Sequence, residues 1–217
     1  MELFTIGHSN HSLEAFLALL KKHNITAIAD VRSYPYSRYL PHFNQKELQE
    51  ALANENISYV FLGRELGARP KNLECYVNGK ALYEKIAATA QFKTGIQRVI
   101  KGVDKYRVSL MCAEKDPMTC HRSILVCQYL RQFKLSISHI LKDGDLEFHH
   151  DLENRMLAKH GFTKFSEKQE VIQLSLFEFK QLDDLPTKEE CLHKAYKIQG
   201  DEIAYVEKGK ISYEQAN

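Results

Sequence analysis

Tryptophan is absent from this 217-residue chain, prolines number five, and neither sign of charge dominates. The formal net charge is +2 and the isoelectric point about 8.2, so no polyelectrolyte tail announces a nucleic acid or a membrane. Such a partner has to be argued from local features. No apolar run approaches the roughly 18 residues of a membrane span. The start, Glu2-Leu-Phe-Thr-Ile6, lacks the basic region and long apolar run of a signal peptide. Five cysteines are an odd number without the spacing of a disulfide framework. These absences point to a reduced, cytoplasmic protein with no membrane partner. There is no Walker A loop and no Gly-x-Gly-x-x-Gly run, so the expected cofactor is none.

What is present, 44% hydrophobic and 27% charged residues, suffices for one sizeable domain with an appendage. Apolar, β-forming runs at 3–6, 25–31, 57–62, 106–111 and 135–141 read as five strands. Helical spacing predicts helices at 13–22 (capped by Ser12), 45–53, 82–89, 94–103, 123–131 and 147–160. Regular alternation of the two implies an α/β fold: an open, doubly wound, mostly parallel five-stranded sheet with helices on both faces, plus a small C-terminal extension. The expected division is 1–162 for the α/β domain and 163–217 for the extension. Ligands of such sheets sit beyond the carboxyl ends of the strands.

The most chemically loaded stretch is Cys112-Ala-Glu-Lys-Asp-Pro-Met-Thr-Cys-His-Arg122, between the fourth strand and the next helix. Asp116 before Pro117 reads as an N-cap with proline at the first helical position, placing Cys120, His121 and Arg122 in the first turn. Helix N-termini favour anions and lower thiol pKa values, which makes Cys112 and Cys120 candidate nucleophiles; as small buried hydrophobes they would do no chemistry. Cys112, Cys120 and His121 are also zinc-ligand types, but the seven residues between the cysteines and the lack of a second cysteine pair argue for no metal.

Parallel topology gathers other loops at the same edge: His8 and Ser9 after strand one, Asp30, Arg32, Ser37 and Arg38 after strand two, Arg64 and Arg69 after strand three. Five of the nine arginines, with Arg122, fall in these loops. They would hold a phosphate-bearing ligand, or else brace the loops against Asp30, Glu65 or Glu114. Tyr34, Tyr36, Tyr39 and Phe43 interleave with them, either to stack a base or to fold the loop on its own apolar parts.

Gly7-His-Ser9, Asp30-Val-Arg-Ser33, Pro35-Tyr-Ser-Arg38, Pro41-His-Phe-Asn44, Leu66-Gly with Arg69-Pro70, and Cys112-Ala-Glu114 with Cys120-His-Arg122 together resemble the bacterial domain-of-unknown-function 488 family, over roughly residues 1–160. The resemblance implies an α/β fold with a polar cleft and carries no reaction with it. In the extension, Gln173-Leu-Ser-Leu-Phe177 is similar to the pentapeptide with which bacterial polymerases and repair proteins dock on the DNA sliding clamp. Gln173 would reach a polar rim while Leu174, Leu176 and Phe177 meet apolar pockets; the same run could be an edge strand on the core. A helix at 188–198 and a hairpin of 203–206 with 211–213 complete the tail.

Three functions follow as expectations. The first is an enzyme on a nucleotide or nucleic acid, in DNA repair through the clamp. There Ser9, Arg32, Tyr34, Ser37, Arg38, Arg69 and Arg122 bind substrate, Asp30 or Glu114 acts as acid or base, and His8 or His121 assists proton transfer. The second is a Cys112-dependent sulfurtransferase or phosphatase-like enzyme, from which the sequence departs by carrying Met118 where an anion-cradling arginine is expected. The third is a non-catalytic DNA-binding adaptor.

Overall fold

Leu3, Phe4, Thr5 and Ile6 are all buried, as a strand covered on both faces demands. The structure, a computed structural model, describes residues 1–166 and 185–207. Its strands are β1 (Glu2–Gly7), β2 (Ala27–Asp30), β3 (Ser58–Phe61), a hairpin of β4 (Tyr76–Val77) and β5 (Lys80–Ala81), β6 (Val108–Cys112), β7 (Ser136–Ile140) and β8 (Leu146–Phe148). Its helices are α1 (Leu13–Lys22), α2 (Gln45–Asn54), α3 (Gly63–Leu66), α4 (Tyr83–Ala88), α5 (Ala90–Val103), α6 (Gln128–Leu130), α7 (His149–Lys159) and α8 (Lys188–Ile203). The central sheet runs β3-β2-β6-β1-β7-β8, parallel except for β8, which is antiparallel to β7.

The pleat assigns side chains to two cores. On one face Phe4, Ile6, Ile28 and Met111 pack with Phe16 and Leu20 of α1 and Leu48 and Leu52 of α2. On the other, Leu3, Ala27, Ala29 and Leu110 pack with Phe92, Ile96 and Val99 of α5 and with Leu125 and Leu130. Each fully buried Phe or Leu contributes about 1.5–3 kcal/mol. Local chemistry agrees with this packing where α1 begins: Ser12 Oγ accepts from the Ala15 N–H at 3.2 Å, and the helix starts and stops as its spacing predicts.

The sheet has six strands, not five. Leu146–Phe148 pairs with β7 and then turns directly into α7, so the expected helix at 147–160 begins two residues later. No turn residue separates the two elements, which is why periodicity merges them. A second correction concerns the loop after β6. Asp116 does act as a cap, accepting from the Met118 N–H at 2.9 Å, but of a single 3₁₀ turn, Pro117–Thr119. Cys120 is then extended, and Arg122–Cys127 forms a wide π-helical turn whose six residues are all buried.

The tail packs on this body. Cys191, Leu192, Ala195 and Tyr196 of α8 join Leu152, Met156 and Leu157 of α7 and Ile124. A capping box of Thr187 and Glu190 starts α8, which runs to Ile203. In place of the first strand of the expected 203–206 hairpin, the chain after Ile203 pairs with β4–β5: Ala81 N–H donates to Tyr205 O at 2.9 Å, and Lys80 bridges Val206. Residues 211–213 and Gln173, Leu174, Leu176 and Phe177 lie outside the described residues.

Between β1 and α8 runs a buried hydrogen-bonded chain with one direction. Tyr196 OH donates to Glu153 at 2.8 Å, and therefore accepts from His149 Nε2 at 2.9 Å. His149 Nδ1 then accepts from His139 Nε2 at 3.0 Å, and His139 Nδ1 accepts from Thr5 Oγ1 at 2.8 Å. Both imidazoles are neutral. Burial, then the His149 ring beside it, holds His139 well below its ordinary range, and burial followed by the Arg131 charge brings His149 down to about 3. Once unfolded, each would take a proton below about pH 6.5, so the unfolded state binds more protons there and stability falls. We expect urea unfolding to show a stable plateau above about pH 6.5 and a decline on the order of several kcal/mol toward pH 3–4. His149→Gln should flatten that decline; an unchanged slope would refute the neutral-histidine account.

Candidate functional site

The carboxyl ends of β1, β2 and β6 surround a cavity of about 340 Å³. Its lining includes His8, Arg32, Tyr34, Tyr36, Ser37, Arg69, Cys112, Glu114 and His121. Tyr83, Thr119, Ile203 and Tyr205 also line it. Two loops meet at its mouth, where the Arg69 N–H donates to Ser33 Oγ at 3.0 Å. Gly67 permits that approach, since a Cβ there would lie 2.5 Å from Ser33 Oγ. Ser37 Oγ braces its own loop by accepting from the Leu40 N–H at 3.1 Å.

Asp30 and Arg32 form a buried pair. Arg32 Nη2 donates to Asp30 Oδ2 at 2.6 Å, Arg32 Nε donates to both carboxylate oxygens, and Tyr59 OH donates to Oδ2 at 2.8 Å. Asp30 is fully buried and does not line the cavity, so the expectation that it works as an acid or base gives way to that of a partner for Arg32. Burial opposes the Arg32 charge and the Asp30 carboxylate restores it. Arg32 Nη1 is left to donate to His8 Nε2 at 3.3 Å, while His8 Nδ1 donates to Ser9 O at 3.1 Å. Burial and then the Arg32 charge bring His8 down to about 4, so its ring is neutral near pH 7. Phe43, in the core, stacks on it with ring centroids 4.3 Å apart.

The cavity wall carries a thiol–carboxyl–imidazole cluster. Cys120 Sγ lies 3.0 Å from Glu114 Oε2, and Cys112 Sγ lies 3.6 Å from His121 Nδ1. His121 Nε2 donates to Val31 O at 3.0 Å, leaving Nδ1 as the face toward the thiols. Burial raises the Cys112 thiol, and its hydrogen bond to Cys120 raises it further. Burial opposes ionisation of Cys120 as well, but the hydrogen bond from Cys112 and the Arg122 charge outweigh it and lower this thiol. Burial and then the Cys120 charge raise the Glu114 carboxyl. Glu114 is exposed along its side chain while its carboxylate turns inward to Cys120.

Several expected binders lie elsewhere. Arg122 is fully buried and serves the fold: Nη1 donates to Glu114 O at 2.7 Å, Nη2 to Lys115 O at 3.4 Å and Nε to Thr5 Oγ1 at 3.3 Å. The π-helical turn directs this guanidinium behind the cluster rather than into the cavity, which corrects its expected contact with substrate. Arg38, Arg64 and Tyr39 are exposed and line no part of the cavity, and Ser9 sits beside it in a left-handed conformation at φ 44°. Cys120 faces Glu114 from behind the lining. Tyr83, Ile203 and Tyr205 were not anticipated. Tyr205 comes from the tail and lies under the Arg69 guanidinium at 4.4 Å, a contact with no local sequence signal.

Arg122 and Arg38 make opposite predictions. Arg122→Met leaves two carbonyls and a hydroxyl without their donor, and we expect it to cost about 3–5 kcal/mol in urea unfolding. Arg38→Ala should cost less than about 0.5 kcal/mol. Equal effects would contradict the division between a buried and a surface guanidinium.

Comparison with known proteins adds a family and nothing finer. No curated protein matches the chain, and no solved structure matches it. Residues 12–129, more than half of the chain, match the family described as Domain of unknown function DUF488, and Arg32, Cys112, Glu114, Cys120 and His121 fall within the match while β1 and His8 precede it. The chain belongs to this family of domains of unknown function.

Proposed function

We propose that this protein is an enzyme acting on a nucleotide unit, free or within a nucleic acid, by a hydrolytic step such as removal of a base. The observation that carries this reading is the composition of the cavity from mouth to floor. Tyr34 and Tyr36 are 64% and 70% exposed at the mouth, which suits stacking on a base rather than folding into a core. Arg69, exposed beside them, has no carboxylate partner among the described residues and so is free to meet a phosphate. About 340 Å³ is enough for one base with its sugar. Arg32, charge-balanced by Asp30, offers directed N–H groups inside without attracting a second phosphate. Cys112, Glu114 and His121 form the reactive wall.

The sulfurtransferase or phosphatase-like alternative has less behind it. Cys112 Sγ faces His121 in a buried cluster, and Met118 stands where an anion-cradling arginine is needed. To test the favoured reading, titrate 5′-mononucleotides and short single-stranded oligonucleotides into the protein, and analyse products by mass. Arg69→Ala should weaken binding about tenfold and Tyr34→Ala several-fold, with Arg38→Ala unchanged. Binding that ignores Arg69 would end the proposal, and binding without turnover would turn it toward the adaptor.

The proposal extends to a cytoplasmic setting in DNA repair, with Gln173, Leu174, Leu176 and Phe177 as a tether to the sliding clamp. This part rests on the pentapeptide sequence alone. Purified clamp should retain the full chain on a pull-down, and Leu176→Ala with Phe177→Ala should release it. Retention of the double variant would remove the tether while leaving the cavity argument intact.

A further inference from the structure

We propose that Cys112, Glu114, Cys120 and His121 are the ligands of a divalent cation of the zinc class. The inference stands without the nucleotide reading, because it rests on the donor atoms and on a charge that needs balancing. The sequence spacing argued against a metal, since seven residues separate the two cysteines. The fold removes that objection. The 3₁₀ turn Pro117–Thr119, capped by Asp116, folds the loop back so that the pair at the end of β6 meets Cys120 and His121.

The four donor atoms lie within 4.8 Å of one another. A tetrahedral ion bound at about 2.0–2.3 Å would set its ligand atoms roughly 3.3–3.8 Å apart. Cys112 Sγ and His121 Nδ1 are already 3.6 Å apart, and Cys120 Sγ and Glu114 Oε2 are 3.0 Å apart. Two thiolates, one imidazole and one carboxylate are donors that select such a cation over calcium or magnesium. The groups around them have the form that metal ligands require. His121 Nε2 is committed to Val31 O, which fixes the ring and turns Nδ1 toward the cluster. The Arg122 N–H points at Cys120 Sγ at 3.4 Å, as backbone donors do around bound thiolates.

Arg122 supplies the independent observation. Its guanidinium is fully buried and hydrogen-bonds two carbonyls and a hydroxyl, and the acidic groups beside it are those of the cluster itself, the Cys120 and Cys112 thiols and Glu114. A buried cation without an anion is costly. Two thiolates and a carboxylate around a divalent ion carry one net negative charge, directly beside Arg122, and that charge balances it. Three of the ligands, Cys112, Glu114 and His121, also line the cavity, so the ion would sit at its wall with the exposed Glu114 as the ligand nearest solvent.

Binding replaces the proton of the Cys112 thiol, and any other proton the four ligands hold, with bonds to the metal and releases it to solvent, with no change of oxidation state. The test uses the full chain, stripped with a chelator, and then titrated separately with Zn²⁺ and Co²⁺. We expect one equivalent of either ion, at least about one proton released per ion, and an intense sulfur-to-cobalt charge-transfer band. Glu114→Gln, at an exposed position, should keep the far-ultraviolet circular dichroism and weaken Zn²⁺ binding at least about tenfold. Cys120→Ser should lose about half the charge-transfer intensity. Should that variant fail to fold, the wild-type cobalt spectrum decides. A folded wild-type chain that takes up no Co²⁺, binds it without a charge-transfer band, or binds Zn²⁺ as well after Glu114→Gln overturns the proposal. Nucleotide binding is read separately, so either claim can fail alone.

Discussion

One guanidinium, that of Arg122, sets the terms for everything at the carboxyl edge of the sheet. It is fully buried, and three of its donors tie together the loop after β6 and the interior of β1. For those bonds to form, the backbone at Glu114 must lie against the end of β1. Only glycine allows this: a Cβ on Gly7 would stand 1.9 Å from Glu114 O and 3.3 Å from Arg122 Nη1. Cys112 ends β6 and the loop after it carries Glu114, Cys120 and His121, so the geometry of the cluster follows from how Arg122 is satisfied.

Arg122 also polarises the interior on its other side. By donating to Thr5 Oγ1 it leaves the threonine hydroxyl to donate onward to His139, and the direction then passes through His149 and Tyr196 to Glu153. Arg131 Nε, 3.0 Å from Glu153 Oε1, closes the far end. The chain spans β1, β7, α7 and α8, so the seating of α8 on α7 is coupled through hydrogen bonds to the centre of the sheet. Neutral histidines are what make this work, because a proton on either ring would replace an acceptor by a donor.

Fold and site were legible to different depths. Strand and helix alternation reads directly from periodicity, and the limits of α1 come out to the residue because Ser12 caps it and Leu13, Phe16, Leu17 and Leu20 share a face. β8 is three residues with no turn before α7, too short and too continuous for a period to register. Topology brings His8, Arg32, Tyr34, Ser37, Arg69, Cys112, Glu114 and His121 to one edge, and that much follows from strand order. The fate of each arginine does not. Arg32 two residues after Asp30 folds back onto it, Arg122 is swallowed by a π-helical turn, and Arg38 stays on the surface. Which way a side chain leaves an irregular turn is decided by tertiary contacts absent from local spacing.

These separate fates decide where positive charge stands around the cavity. Five guanidiniums converging would make a strongly positive mouth, fit for a polyphosphate. Instead Asp30 neutralises Arg32, Arg122 lies behind the wall, and among the described residues Arg69 alone brings to the rim a guanidinium with no carboxylate partner, stacked on Tyr205 at 4.4 Å. The inner lining adds no second unpaired guanidinium among the described residues, so the interior is close to neutral. That interior is bounded by the neutral His8 ring, by Tyr83 and by the Cys112 wall. The positive charge therefore sits at the mouth, while the inner wall is held by the hydrogen bonds that join Arg32 to Asp30 and His8.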